Sequence, residues 1–315
     1  MRTLLLAGLA LACLTACGGG GGGTLPPPDP IVAHDLVFDN EAGDGSRRLQ
    51  RVSPEGGVAQ PVPNAVHAVR PHARADGAAL LFTSFSTDPL QVPALMLLDD
   101  LARPAVVLSD TAGIYEREAV FAPDGRRIVF VSEREEPGGS DIFVATLNGR
   151  RLENIRNLTP GTMPGRPMPV LNVTPAWSPD GGRIAFASNR SGGDFTLWVM
   201  DADGRNPREL TPAGQQADVF PSWSPDGRTL AFQRRSPSAV RVGLIPAAGG
   251  NPAFFEFNGS AYAPAWSPDG SRIAFGGLVE GEYDIHVRAA SGIGPVTRIR
   301  NPGADRNPAW LARAG

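Results

Sequence analysis

The chain has 315 residues, a formal net charge of −3 and a pI near 5.9. This balance excludes a dominant basic face and makes nucleic acid a poor candidate partner. With 42% apolar residues it can bury a core of one or two domains, and its only two cysteines, Cys13 and Cys17, lie at one end, so no disulfide framework supports the rest.

Met1-Arg2-Thr3 leads into an apolar run from Leu4 to Ala16, too short to span a bilayer as a helix and suited to a secretory signal. The run ends in Leu14-Thr15-Ala16-Cys17, which resembles a bacterial lipobox. Cys13, after Ala10-Leu11-Ala12, fits that pattern less well, and an ordinary signal with Cys17 incidental is the plainer alternative. The resemblance implies that residues 1–16 are removed and that Cys17 carries several acyl chains, each buried methylene contributing about 0.8 kcal/mol. Gly18 rather than aspartate after the cysteine implies the outer membrane, with the protein facing the periplasm. Residues 17–30 are then the lipidated cysteine and a disordered glycine- and proline-rich tether reaching roughly 20 Å.

From residue 31 to 315 one unit recurs. Its clearest copies are Pro175-Ala176-Trp177-Ser178-Pro179-Asp180-Gly181, then Pro221 to Gly227 and Pro264 to Gly270; a looser copy runs from Ala119 to Gly125 and a degenerate one from Pro71 to Gly77. Successive glycines of these copies are 43 to 56 residues apart, the period of four-stranded propeller blades. After the copy at Pro175 come a β-rich run, Arg183 to Ser188, a loop, a second run, Phe195 to Met200, an Asp-Gly turn and a last run, Arg208 to Thr211. The runs barely alternate, as expected where both faces of a sheet are covered.

Asn307-Pro308-Ala309-Trp310 begins a unit with no room to finish, and Asp35-Leu36-Val37-Phe38-Asp39 is a second strand lacking its first. Joining them closes a ring, and the predicted fold is an all-β, six-bladed propeller over 31–315. The spacing of Trp-Ser-Pro-Asp-Gly, Ile-Ala-Phe, Asp-Gly and Leu-Thr resembles the TolB family, without the α/β domain that precedes the propeller there. The resemblance implies a binding module. In that family the propeller binds the peptidoglycan-associated lipoprotein at its channel mouth, and relatives serve as peptidase gates or sugar lyases.

In this layout the loops leading into the innermost strands surround one channel mouth. They hold Arg70; Glu116, Arg117 and Glu118; Asn172; Asp218 and Phe220; Tyr262; and Asp305 and Arg306. These positions vary while their frame repeats, which predicts a mixed-charge funnel that docks a protein or peptide of the envelope, with solvated loops as the alternative reading. Small-ligand or sugar binding is the second function considered, and a lyase or hydrolase the third.

The repeated Trp177, Trp223, Trp266 and Trp310 are expected to pack between blades, and the aspartates of Pro-Asp-Gly to bond their own turns. Catalysis is not expected. The four histidines are His34, His67, His72 and His286; His34 precedes the first strand and His286 falls in an outer strand of the sixth blade, so those two are not expected to meet at the axis, and no Gly-x-Ser-x-Gly element occurs. No cofactor or metal is predicted, and the protein is expected to be a monomer.

Overall fold

The computed structural model describes residues 34–85, 92–109, 113–135, 138–161 and 169–312. The signal, Cys17 and the tether lie outside the described residues.

The chain opens with β1 (His34–Glu41), β2 (Arg47–Val52) and β3 (Gln60–Val66). Blade 2 follows as β4 (Ala68–Ala73), β5 (Leu80–Ser84), β6 (Ala94–Leu98) and β7 (Val106–Val107), and blade 3 as β8 (Glu116–Phe121), β9 (Arg127–Ser132), β10 (Asp141–Asn148) and β11 (Arg151–Asn157). Blade 4 comprises β12 (Asn172–Trp177), β13 (Arg183–Ser188), β14 (Thr196–Asp201) and β15 (Arg208–Glu209). Blade 5 comprises β16 (Ala217–Trp223), β17 (Thr229–Arg235), β18 (Val240–Pro246) and β19 (Ala253–Phe254). Blade 6 comprises β20 (Ser260–Trp266), β21 (Arg272–Val279), β22 (Glu282–Ala289) and β23 (Thr297–Ile299), and β24 (Ala304–Ala312) ends the chain.

Blades 2 to 6 are antiparallel sheets in chain order, and blade 1 has the order β24-β1-β2-β3. The C-terminal strand therefore pairs with the N-terminal one, with Leu36 opposite Trp310 and His34 opposite Ala312. The innermost strands β24, β4, β8, β12, β16 and β20 neighbour one another in that order and close the ring, so blade 2 faces blade 5 across the axis.

The core is divided into slabs between neighbouring blades. One slab packs Leu81, Leu95 and Leu97 of blade 2 on Phe121, Ile128 and Phe130 of blade 3. A run such as Ile128 to Val131 is buried at every residue because each face of the sheet meets another blade. Trp177, Trp223 and Trp310 sit in these slabs, while Trp266 is half-buried: Trp223 donates Nε1–H to the carbonyl of Ala176 at 3.1 Å, and Trp310 to that of Ala265 at 3.0 Å. An arginine from the preceding blade covers three of these rings, Arg127 on Trp177, Arg183 on Trp223 and Arg272 on Trp310, at 4.7 to 5.1 Å from the centroid.

The Ser-Pro-Asp-Gly turns are built from their own side chains. In blade 4, Asp180 accepts from the N–H of Gly182 at 3.0 Å, Ser178 Oγ accepts from the N–H of Arg183 at 2.8 Å, and Gly181 takes φ 69°. Asp226 and Asp269 repeat the arrangement with Arg228 and Ser271.

Candidate functional site

Each innermost strand carries a bulge where its register with the second strand shifts. The residue at the bulge has a left-handed backbone in all six blades: Arg70 (φ 54°), Glu118 (59°), Thr174 (51°), Phe220 (56°), Ala263 (43°) and Asn307 (50°). Such a backbone is uncommon outside glycine, and least expected of a β-branched threonine. All but Glu118 precede proline, which has no N–H to lose from the ladder at that point.

Side chains of neighbouring strands take up the N–H groups of the bulges. Arg70 donates to Asp39 Oδ1 at 3.1 Å, Glu118 to Thr83 Oγ1 at 3.0 Å and Thr174 to Glu118 Oε2 at 2.6 Å. Phe220 donates to Thr174 Oγ1 at 3.2 Å and Ala263 to Gln233 Oε1 at 3.1 Å. Five of the six bulges are thus held by a side chain of the blade before them, in a hydrogen-bonded belt along the channel, and the sixth, Asn307, donates its side-chain Nδ2 to Asp39 Oδ1 of its own blade at 2.9 Å.

Arg70 ties the belt across the channel. It ion-pairs with Glu118 on blade 3 and reaches across the axis to lie 5.0 Å from the ring centroid of Phe220 on blade 5. Burial pushes the Arg70 guanidinium down to about 10, so it remains a cation at neutral pH.

From the belt a chamber of about 530 Å³ runs to the Ser-Pro-Asp-Gly turns, where the exposed Pro123, Pro179, Pro225 and Pro268 form a rim. This volume lies within the range of small-molecule and peptide pockets. One wall position recurs just after the bulge, occupied by His72, Val120, Ala176, Ser222, Ala265 and Ala309. Five are small or aliphatic, and His72 is the exception. Its Nδ1 accepts from the N–H of Phe121 at 3.3 Å, and burial pushes it down to about 4, so the ring is neutral and its proton sits on Nε2.

The structure separates the predicted mouth residues into three groups. Arg70, Glu118 and Phe220 converge in the channel. Arg117, Tyr262 and Arg306 are half-buried outside the chamber: Arg117 pairs with Glu133 at 3.2 Å, Arg306 with Glu41 at 2.8 Å, and Tyr262 and Arg306 both pack on Tyr283. Glu116, Asn172, Asp218 and Asp305 require a correction, because all four are fully buried inside their blades and present no surface to a partner.

Those four share one place at the head of the innermost strand, and in three blades an arginine at the end of the second strand or two residues beyond it folds back onto it. Asp218 accepts two bonds from Arg234, both 2.7 Å; Glu116 pairs with Arg134; Asn172 Oδ1 accepts from Arg190 at 2.9 Å. Each arginine also lies over aromatic rings of its blade, Arg234 over Phe254 at 5.0 Å and Arg190 over Trp198 at 5.0 Å. Blade 1 departs from this pattern: Asp305 Oδ1 accepts from Asn40 at 2.7 Å, and its buried Oδ2 has no hydrogen-bond partner among the described residues. Burial pushes Asp305 up to about 7 and its neighbour Asp39 up to about 6.

His34 and His286 do not meet. The first residue of β1 lines the chamber near its turn-side rim, on the same channel as His72, whereas His286 is buried in the outer strand β22 against Phe257 and Phe275. Among the described residues no group of three or more His, Cys, Asp or Glu is placed to hold a metal.

The model of the TolB β-propeller domain matches residues 166–252 and 194–313. TolB from Acinetobacter baumannii superposes with a TM-score of 0.74 at 19% identity, over 90% of this chain and 68% of that one. A chain from the crystal structure of a nidogen/laminin complex superposes with a TM-score of 0.65 at 12% identity, over 88% of this chain and 98% of that one. An uncharacterised peptidase of Bacillus subtilis (strain 168), YuxL, is 30% identical over 105 residues. That stretch is 32% of this chain and 14% of the peptidase, so the chain matches only a small part of that relative's length.

Proposed function

We propose that the chain, which carries a TolB-type β-propeller, is a non-catalytic binding module of the cell envelope that seats a segment of a protein or peptide partner in its central channel. The chamber carries this reading. It is concave and walled by small and aromatic side chains, and it ends on a charged pair, Arg70 and Glu118, stacked against Phe220. The likeness to a propeller crystallised in a nidogen/laminin complex supports a protein partner. Contact then falls to the chamber and its rim, with Arg117, Tyr262 and Arg306 as further contacts at the loop mouth.

The Leu14 to Cys17 sequence supports anchoring of the module by lipidated Cys17 in the outer membrane, facing the periplasm as a monomer. Labelled palmitate should enter the wild type and be lost on Cys17→Ser, with release from the membrane fraction. For the channel, a photo-crosslinking amino acid at Pro225 should capture one partner, and Ser222→Trp, which fills the chamber, should remove that adduct from a protein that still folds. An unchanged adduct would sink the channel reading. The similarity to a peptidase favours a second reading, a propeller that serves a peptidase, and this predicts that the captured partner hydrolyses peptides.

A further inference from the structure

We infer that the chamber takes an acceptor-only, extended chain, a proline-rich segment of the partner, and that His72 and Ser222 are the groups that read it. This rests on the channel reading above. Of the six wall positions only His72 and Ser222 carry polar side chains, and they come from blades 2 and 5, which face each other across the axis. Both have already spent an acceptor on the next blade: His72 Nδ1 takes the N–H of Phe121 at 3.3 Å, and Ser222 Oγ takes the N–H of Trp266 at 3.2 Å. Each is left with a hydrogen to give, Nε2–H and Oγ–H, and neither has a partner for it among the described residues.

The other four of these positions, Val120, Ala176, Ala265 and Ala309, offer side-chain methyl groups only, and at the rim four exposed prolines stand beside His34 and Arg74. At the floor, Glu118 and Thr174 also spend an acceptor each on the belt, on the N–H groups of Thr174 and Phe220. A ligand bearing many N–H groups would leave donors unsatisfied in such a wall, at a cost of about 1–3 kcal/mol for each one buried. A prolyl peptide bond has a carbonyl and no N–H, and a run of prolines is preorganised as an extended, apolar helix. Aromatic-lined clefts take such segments by this logic.

The test uses the full chain and three probes: acetylated and amidated hexaproline, the matching hexaalanine, and a neutral chitooligosaccharide, each titrated by calorimetry. Hexaproline should bind saturably and at least tenfold more tightly than hexaalanine. His72→Ala places there the residue that blades 1, 4 and 6 carry, so the fold tolerates it, and it should weaken hexaproline at least fivefold; His72→Phe, which keeps a ring and removes the donor, should do the same. Equal binding of the two peptides, indifference to both His72 variants, or preference for the sugar would each overturn the inference. The channel reading is judged separately, by the Pro225 adduct and its loss on Ser222→Trp. A lost adduct without hexaproline binding leaves a partner in the channel that is not proline-rich.

Discussion

Arg70 of blade 2 and Phe220 of blade 5 meet across the propeller axis, the guanidinium carbon 5.0 Å from the ring centroid. The contact joins opposite walls of the ring, and Glu118 from blade 3 pairs with the same guanidinium. Glu118 has a second task, accepting the N–H of Thr174. Glu118→Ala ends both and should lower stability by about 2–3 kcal/mol, less than the loss of one partner from a fully buried pair because Arg70 is partly exposed. Glu118→Gln keeps the acceptor and should cost roughly half of that. A double-mutant cycle with Arg70→Met, followed by urea denaturation, measures the coupling; strict additivity would mean that the pair contributes nothing.

Asp305 should make the ring seam sensitive to pH. Its folded pKa of about 7 lies above the ordinary carboxylate value of 3.8, so the folded state holds a proton that the unfolded state has released. The associated stability is fully present below pH 4 and is lost as pH rises through 7, at up to about 1.4 kcal/mol per pH unit. Asp39, raised to about 6, adds to the same trend. Asp305→Asn installs the amide that Asn172 carries at this place in blade 4, and should flatten the fall and raise the melting temperature at pH 8. Melting curves from pH 4 to 8 for both proteins decide it, and parallel curves would show that Asp305 titrates normally.

The fold was legible because its period is written in turn chemistry. Pro-Asp-Gly marks the turn between first and second strands in blades 3 to 6 and Ala-Asp-Gly that of blade 2, and Asn307 to Trp310 without a sequel implied the closure that β24 and β1 make. Of the predicted mouth residues, Arg70, Glu118 and Phe220 line the chamber. Counting back from each proline found the right loops, but it gave no sign that alternate residues turn inward to a clamp. The partners Asp218 and Arg234 are 16 residues apart on adjacent strands, and their pairing follows from register rather than from any short motif. A signal did exist: Ser132-Glu133-Arg134 and Ser188-Asn189-Arg190 recur at one place in the unit. Nothing local to His34 shows that β1 begins beside the channel.

The arginine–tryptophan ladder between blades has a gap. Arg127, Arg183 and Arg272 start the second strands of blades 3, 4 and 6, but Thr229 starts that of blade 5, and the ring it should cover, Trp266, is the most exposed of the four tryptophans of the repeat. Thr229→Arg should complete the ladder and stabilise the protein by about 0.5–1 kcal/mol. Chemical denaturation of this variant beside Thr229→Lys and Thr229→Ala separates stacking from simple charge. No gain over alanine would show that Trp266 is already satisfied.

The seam has a steric lock as well as a hydrogen-bonded one. Gly77 ends the first turn of blade 2 with φ 71°, and a β-carbon there would stand 2.2 Å from the carbonyl oxygen of Ala312, at the end of β24 in blade 1. The equivalent glycine of blade 4, Gly181, has the same φ of 69° but meets only side-chain atoms, the nearest at 3.7 Å. Gly181→Ala therefore measures backbone strain alone, about 1–2 kcal/mol for a residue held left-handed. Gly77→Ala carries the same strain plus a clash with backbone that cannot rotate away, and should exceed Gly181→Ala by about 1–2 kcal/mol. The excess must appear where the ring closes: amide exchange along β1 and β24 should quicken in Gly77→Ala and stay unchanged in Gly181→Ala. Equal costs, or faster exchange spread over all six blades, would mean that the last strand yields without loosening the closure.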